Sequence, residues 1–116
     1  MKENIIKTKS FLFSIKIVNL YKILSVEKKE YVMSKQLLRS GTAIGALVRE
    51  SEHAESKADF VHKLSIALKE ANETEYWLDL LYETSFLDAS TFVVFQKDIK
   101  ELLKILVSII KTTKQI

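Results

Sequence analysis

The sequence predicts an all-α fold, an antiparallel up-down-up-down bundle of four helices. Its 116 residues include no proline and only two glycines, too few turn-forming residues for a fold built from many strands. Apolar residues recur at three- and four-residue spacing through four segments joined by short polar links. We therefore predict a single domain over residues 1–116, with helices at about 4–24, 28–52, 57–84 and 89–113.

The first helix is apolar on two sides. One face carries the predicted core residues Ile6, Phe13, Ile17, Leu20 and Leu24. A different side carries Phe11, Ile15 and Val18, so more than half of the circumference is apolar. A helix whose outer side faced water would not need this second set. Ser25 follows as a plausible N-cap of the next helix.

The second helix contains both glycines. Its core face is formed by Met33, Leu37, Gly41, Ile44 and Val48. A glycine inside a helix costs about 1 kcal/mol relative to alanine. We expect Gly41 and Gly45 to offset this cost by letting another helix approach closely. A basic stripe of Lys28, Lys35 and Arg39 lies on the opposite side.

The third helix has a start signal and two apolar faces. Ser56 and Asp59 match an acidic variant of the capping box, which predicts a start near Lys57. Phe60, Leu64, Ala67, Ala71, Leu78 and Leu81 form the predicted core stripe. A second cluster projects from roughly the opposite side, and we assign it to a subunit interface because Trp and Tyr are common interface anchors. Its members are Ile66, Glu73, Tyr76, Trp77 and Leu80.

The fourth helix is strongly amphipathic. Asp88 or Ser90 can cap it, and a coiled-coil-like seam follows at Phe95, Ile99, Leu102, Leu106 and Ile109. Lys97, Lys100, Lys104 and Lys111 share a narrow arc on the other side. Such a lysine face is either simply solvated or able to bind phosphates.

Charge is segregated along the chain. Residues 1–50 carry a net charge of +6, residues 51–87 a net charge of −5 and residues 88–116 a net charge of +2. These segments can attract one another within or between subunits, or leave a basic surface for nucleic acid. The lack of cysteine excludes disulfides and thiol chemistry. We find no signal peptide and no stretch long enough to span a membrane, and expect a cytoplasmic protein.

Candidate catalytic and metal sites are weak. Glu50 with His53, and Asp59 with His62, have the spacing of di-metal helical bundles. However, His53 lies in or next to the predicted hinge, and His62 lies roughly opposite the core stripe of the third helix. Arg49 and His53 are one residue short of the spacing seen in some all-α ribonucleases. No set of nucleophile, base and orienting group is visible. We therefore expect no enzyme, no metal and no cofactor.

Two acidic residues of the third helix are expected to be structural. Glu70 lies at the edge of the core stripe, and Glu73 lies beside Trp77. A carboxylate in such a place needs a cation. Arg39 and Arg49 of the second helix are the candidates, either within one subunit or across an interface.

Three stretches resemble a known family: SKQLLRSGTAIGALVRESEHAESKADF, HKLSIALKEANETEYWLDLL and, in the first helix, KSFLFSIKIVNLYKIL. They are similar to the four-helix bundle proteins encoded in intervening sequences of bacterial 23S ribosomal RNA genes. The resemblance implies a ring-like homopentamer and no catalytic activity. It also implies kinship with the accessory protein of diversity-generating retroelements, a basic pentamer that engages nucleic acid and a reverse transcriptase.

Residues and resemblance together predict a non-enzymatic homo-oligomer that binds RNA or DNA through its basic helix faces. The alternative is an interaction module that docks a different protein on an apolar helix face. Salt-dependent binding to generic RNA separates the two hypotheses, because only the first predicts it.

Overall fold

The computed structural model describes residues 2–116, with side chains described from Ile5 onward, and over that range it confirms the all-α bundle. Each helix packs against the next one along the chain, and α1 and α4 close the bundle with a less extensive contact. The four helices are α1 (Lys2–Lys22), α2 (Met33–Ser51), α3 (Lys57–Glu83) and α4 (Ala89–Lys114).

One hydrophobic core runs between the helices and follows the predicted stripes. Its largest fully buried side chains come from all four segments: Ile17, Leu24, Leu37, Ile44, Leu64, Leu78, Leu81, Ile99, Leu102 and Leu106. Burial of one such side chain stabilises the fold by about 1.5–3 kcal/mol. The apolar periodicity of the sequence is thus sufficient to locate the core.

The link between α1 and α2 differs from the prediction. The first helix does not stop at residue 24 but continues through a π-helical turn, Ile23–Glu27. The chain then reverses at Lys29, which has a positive φ of 54°. The prediction that α2 starts at residue 28 is therefore wrong, and Lys28 lies in the link rather than on α2.

Glu30, not Ser25, caps the start of α2. The Glu30 carboxylate accepts hydrogen bonds from the backbone N–H groups of Val32, Met33 and Ser34, at 3.2, 3.1 and 2.7 Å. The Ser25 hydroxyl instead donates to the Tyr21 carbonyl at 2.8 Å, inside the preceding helix. A carboxylate two residues before the N-cap position therefore accepts the backbone hydrogen bonds that an N-cap side chain usually accepts.

Helices α3 and α4 begin where the sequence predicts. Ser56 Oγ accepts from the Asp59 N–H at 3.0 Å, and Asp59 accepts from the Glu55 N–H at 3.1 Å. Asp88 accepts from the Thr91 N–H at 2.8 Å and starts α4. These side chains satisfy backbone donors that the first turn of a helix leaves free.

Small residues let α1 lie directly on α2. A Cβ built on Gly41 would stand 2.9 Å from Ile17 Cγ1. A Cβ built on Gly45 would stand 3.2 Å from Ser14 Oγ and 3.3 Å from the Ser10 carbonyl oxygen. Both glycines of the chain therefore lie under α1.

The seam between α1 and α4 combines one aromatic contact with two ion pairs. Phe13 and Phe95 meet edge to face, with ring centroids 6.2 Å apart. Nζ of Lys9 lies 3.3 Å from Glu101, and that of Lys16 lies 2.8 Å from Asp98. Among the described residues, no helix is long and apolar enough to cross a membrane.

Candidate functional surfaces

The outer side of α4 presents the lysine face that the sequence predicts. Lys97, Lys104 and Lys111 are exposed and form no ion pair with any other described residue. Their seven-residue spacing places neighbouring Cα atoms about 10 Å apart along the helix axis. A shallow groove of about 550 Å³ runs beside the first two and is lined by Val93, Gln96, Lys97, Lys100, Glu101 and Lys104.

Lys100 belongs to the same face but has a partner. Its Nζ lies 3.4 Å from Glu75 Oε2 on α3. The lysine side chain remains largely exposed, so the pair is weak and screened by solvent. Lys100 can therefore exchange Glu75 for another anion at little cost.

The basic residues assigned to α2 do not form one stripe. Lys28 lies in the link, where its positive charge acts on Asp88 at the start of α4. Lys35 is exposed in the first turns of α2. Arg39 points to α3 and is held there by two carboxylates. Only Lys35 remains an exposed α2 cation without a described partner.

Arg39 sits at the centre of a polar network between α2 and α3. Its Nη1 donates to Glu70 Oε1 at 3.1 Å and its Nη2 donates to Glu73 Oε2. Trp77 Nε1 donates to the same Glu73 oxygen at 3.0 Å. The hydrogen bond from Arg39, assisted by that from Trp77, lowers the pKa of Glu73 below its ordinary value. The pairing expected for Glu70 and Glu73 thus occurs within one subunit.

The second face of α3 is less detached from the core than the sequence suggested. Trp77 is half-buried and packs against the rim of the core, so it lies closer to the core than the sequence predicts. Ile66 and Leu80 are half-buried, while Tyr76 is 57% exposed and meets Trp77 edge to face. The polar network explains the position of Trp77, because Glu73 draws its indole toward α2.

Acidic side chains crowd the exposed side of α3 next to Tyr76. Asp79 is exposed near the end of the helix, one turn from both Glu75 and Glu83. Partial desolvation, together with the like charges of Glu75 and Glu83, raises the pKa of Asp79, and Lys100 only partly opposes this. This end of α3 therefore carries more negative charge than its own subunit neutralises.

Six exposed apolar side chains lie on the outer side of α1 and of the π-helical turn that follows it. These side chains are 42–73% exposed: Ile5, Phe11, Leu12, Ile15, Ile23 and Val26. The Arg49 guanidinium covers one face of Phe11, with its carbon 4.8 Å from the ring centroid. The signal for this surface was the unusually broad apolar pattern of the first helix.

The histidines stand apart from any ligand set. His53 and His62 are both exposed, and Glu50 pairs with Lys63 at 3.4 Å. From Lys2 to Ile116, no group of three or more histidine, aspartate or glutamate side chains is placed to hold a metal ion.

Comparisons with known proteins agree with the resemblance seen in the sequence. The model of a family described as 23S rRNA-intervening sequence protein matches residues 2–108. A crystal structure from Bacteroides thetaiotaomicron, of a protein with unknown function from the S23 ribosomal protein family, superposes with a TM-score of 0.94. The two sequences are 58% identical over 96% of this chain and 99% of the other. No curated protein matches the chain.

Proposed function

This chain belongs to the 23S rRNA-intervening sequence protein family, and on that premise we propose that it is a non-enzymatic, homo-oligomeric scaffold that binds RNA or DNA. The contact surface in this proposal is the outer face of α4, extended by Lys28 and Lys35. The family and the similar crystal structure are of unknown function, so the proposal rests on the chemistry of the surface.

The observation that carries the proposal is the row of Lys97, Lys104 and Lys111. These ammonium groups are exposed, form no ion pair among the described residues and lie in one row on a single helix face. When lysines bind phosphates, counterions are released from the nucleic acid, and this release favours binding at low salt. The α4 face has no exposed aromatic ring on which a base can stack, so binding is tolerant of sequence.

Assembly into an oligomer would place several copies of the α4 lysine face on one particle. We propose a homopentamer, as the family resemblance implies, with the second face of α3 as one subunit contact. That contact contains Ile66, Glu73, Tyr76, Trp77 and Leu80. Several α4 faces on one particle bind a long nucleic acid together, and their combined affinity exceeds that of one face by orders of magnitude.

The test is fluorescence anisotropy of a labelled single-stranded RNA of mixed sequence, titrated at several salt concentrations. The variant is the triple change Lys97→Gln, Lys104→Gln and Lys111→Gln. Each lost phosphate contact lowers the salt slope by about 0.7 on a single strand, so we expect the triple variant to lose about two units of slope. The matched control replaces Lys57, Lys63 and Lys69 of α3 by glutamine and should bind as the native chain does. Equal binding by the two triple variants would contradict an α4 interface.

An interaction module is the second candidate, and the exposed apolar side chains of α1 favour it. A different protein docked on Leu12 and Ile15 would bury them without any role for the lysines. This candidate predicts a monomer by light scattering and no salt-dependent RNA binding. The scaffold predicts an oligomer that binds RNA.

A further inference from the structure

We propose that the outer face of α1 in one subunit docks on the outer face of α3 in the next subunit, so that the subunits associate head to tail. This inference rests on the self-association in the proposed function and specifies its geometry. It adds a contact surface, α1, that complements the second face of α3.

The α1 surface is too large and too apolar to be an ordinary solvated helix face. Its six exposed side chains extend from Ile5 near the start of α1 to Val26 in the π-helical turn. Half-exposed side chains of this size together present several hundred Å² of apolar area, which is the scale of a functional patch on a monomer. The patch widens on both flanks, toward Ala46 of α2 and toward Ile105 of α4.

The position of this patch determines how copies associate. Helix α1 packs against α2 and α4, so α3 lies diagonally across the bundle from it. Apolar side chains at these two corners, Ile15 on one and Tyr76 on the other, face away from each other. A contact between two such different surfaces joins each copy to two neighbours and closes into a ring or extends as a filament.

Charge favours α3 of a second copy over α1 of a second copy. Lys22 is exposed beside the α1 patch and has no described ion-pair partner, and Lys28 and Lys29 follow at the same end. Two α1 faces packed in parallel would bring these lysines together. The end of α3 instead offers Asp79 and Glu83, two exposed carboxylates that form no ion pair among the described residues.

The two surfaces also lie at the same level along the axis of the bundle. Helices α1 and α3 run in the same direction, and their C-terminal ends lie at the same end of the bundle, where Lys28 acts on Asp88. Lys22 lies about one turn before the end of its helical segment at Glu27, and Asp79 lies one turn before the end of α3 at Glu83. Subunits related by rotation about an axis parallel to the helices therefore bring Lys22 level with Asp79.

The test uses two variants that each destroy one of the surfaces. The α1 variant carries Leu12→Glu and Ile15→Glu, and the α3 variant carries Tyr76→Arg and Asp79→Arg. All four positions are exposed, so the fold should persist, which circular dichroism checks. A control variant with Val93→Glu and Val107→Glu changes exposed apolar residues of α4 and should keep the native mass.

The masses measured by light scattering decide the outcome. We expect each variant alone to be a 13.4 kDa monomer, and an equimolar mixture to form a dimer of twice that mass. The mixture dimerises because the intact α1 face of one variant meets the intact α3 face of the other.

Three results would overturn the inference. If the α3 variant alone forms a dimer, α1 packs on α1. If either variant keeps the native assembly, its surface is not a contact. If the native chain is itself a monomer, the self-association in the proposed function fails as well, whereas RNA binding by α4 is tested separately.

Discussion

Gly41 of α2 lies against Ile17 of α1 so closely that a Cβ on the glycine would stand 2.9, 3.0 and 3.1 Å from three carbons of the isoleucine. Ile17 is fully buried. The glycine is therefore required by packing, since its backbone has no positive φ that would demand it.

Replacing Gly41 with alanine should destabilise the protein despite the higher helix propensity of alanine. Propensity favours the variant by about 1 kcal/mol, whereas overpacking in a closed core costs about 1–3 kcal/mol. We expect a net loss of up to about 2 kcal/mol in the free energy of unfolding in urea.

Two further variants isolate what the contact between Gly41 and Ile17 contributes to the free energy of unfolding. Gly45→Ala meets Ser14 Oγ at 3.2 Å and the Ser10 carbonyl oxygen at 3.3 Å, which are longer contacts than those at Gly41, and should change stability less. Ile17→Ala makes room for the new methyl group, so Gly41→Ala should cost less in that background. Additive effects of the two substitutions would contradict a clash between them.

The network around Arg39 should make stability depend on pH. The pKa of Glu73 is lowered in the folded chain, so the ionised carboxylate stabilises the fold above the ordinary glutamate value of 4.5, and this contribution is lost as pH falls through the lower folded pKa. Because Glu73 is more than one-third exposed, we expect Glu73→Gln to cost only about 0.5 kcal/mol at pH 7 and almost nothing at pH 3.

The measurement is urea unfolding at both pH values. Trp77 is the only tryptophan, and its indole N–H donates to Glu73, so its emission reports on the network and on unfolding together. Glu55→Gln alters an exposed glutamate whose side chain makes no described ion pair and serves as the control. A cost that persists at pH 3 would mean that the carboxylate charge is irrelevant.

Removal of the Glu30 cap should destabilise α2. Burial raises the pKa of Glu30, but hydrogen bonds from three backbone N–H groups outweigh it and lower the pKa overall. Glu30→Ala leaves these donors without an acceptor, and we expect a loss of about 1 kcal/mol in chemical denaturation. Glu27→Ala, at an exposed position in the same link, is the matched control. Equal stability of the two variants would show that water replaces the cap fully.

A buried hydroxyl pair joins α2 to α3 and provides a fourth test. Thr74 Oγ1 lies 3.0 Å from Ser40 Oγ and 2.7 Å from the Glu70 carbonyl oxygen, and both hydroxyl side chains are fully buried. Thr74→Val keeps the shape but leaves Ser40 without its partner, which should cost about 1–3 kcal/mol. Adding Ser40→Ala should recover part of this loss in a thermal melt. If the double variant is less stable than Thr74→Val alone, the pairing is contradicted.

Periodicity was sufficient to predict the four helices and the core, and capping residues were sufficient to predict the starts of α3 and α4. Ile17, Leu37, Leu64 and Leu102 each belong to an apolar stripe with helical spacing, and all four are buried. Asp88 marked the start of α4 because its carboxylate accepts a local backbone hydrogen bond.

The remaining features depend on contacts that spacing does not encode. The π-helical turn shifts the phase of the residues after Lys22, so Lys28 looked like part of α2. Glu30 caps from a position where caps are uncommon. Trp77 turns toward the core rim because Glu73 holds its indole N–H, and Arg39 in turn holds Glu73. These side-chain positions depend on contacts with a neighbouring helix, which residue spacing along one helix does not specify.

The thin seam between α1 and α4 has a kinetic consequence. The other extensive helix contacts join segments that are consecutive in the chain, so relative contact order is low and folding should take microseconds to milliseconds. Closing α1 onto α4 brings together the two most distant parts of the sequence, which makes it the costliest step in loop entropy. The Phe13–Phe95 contact therefore forms late, and native-state hydrogen exchange should show α1 and α4 separating before α2 and α3 do.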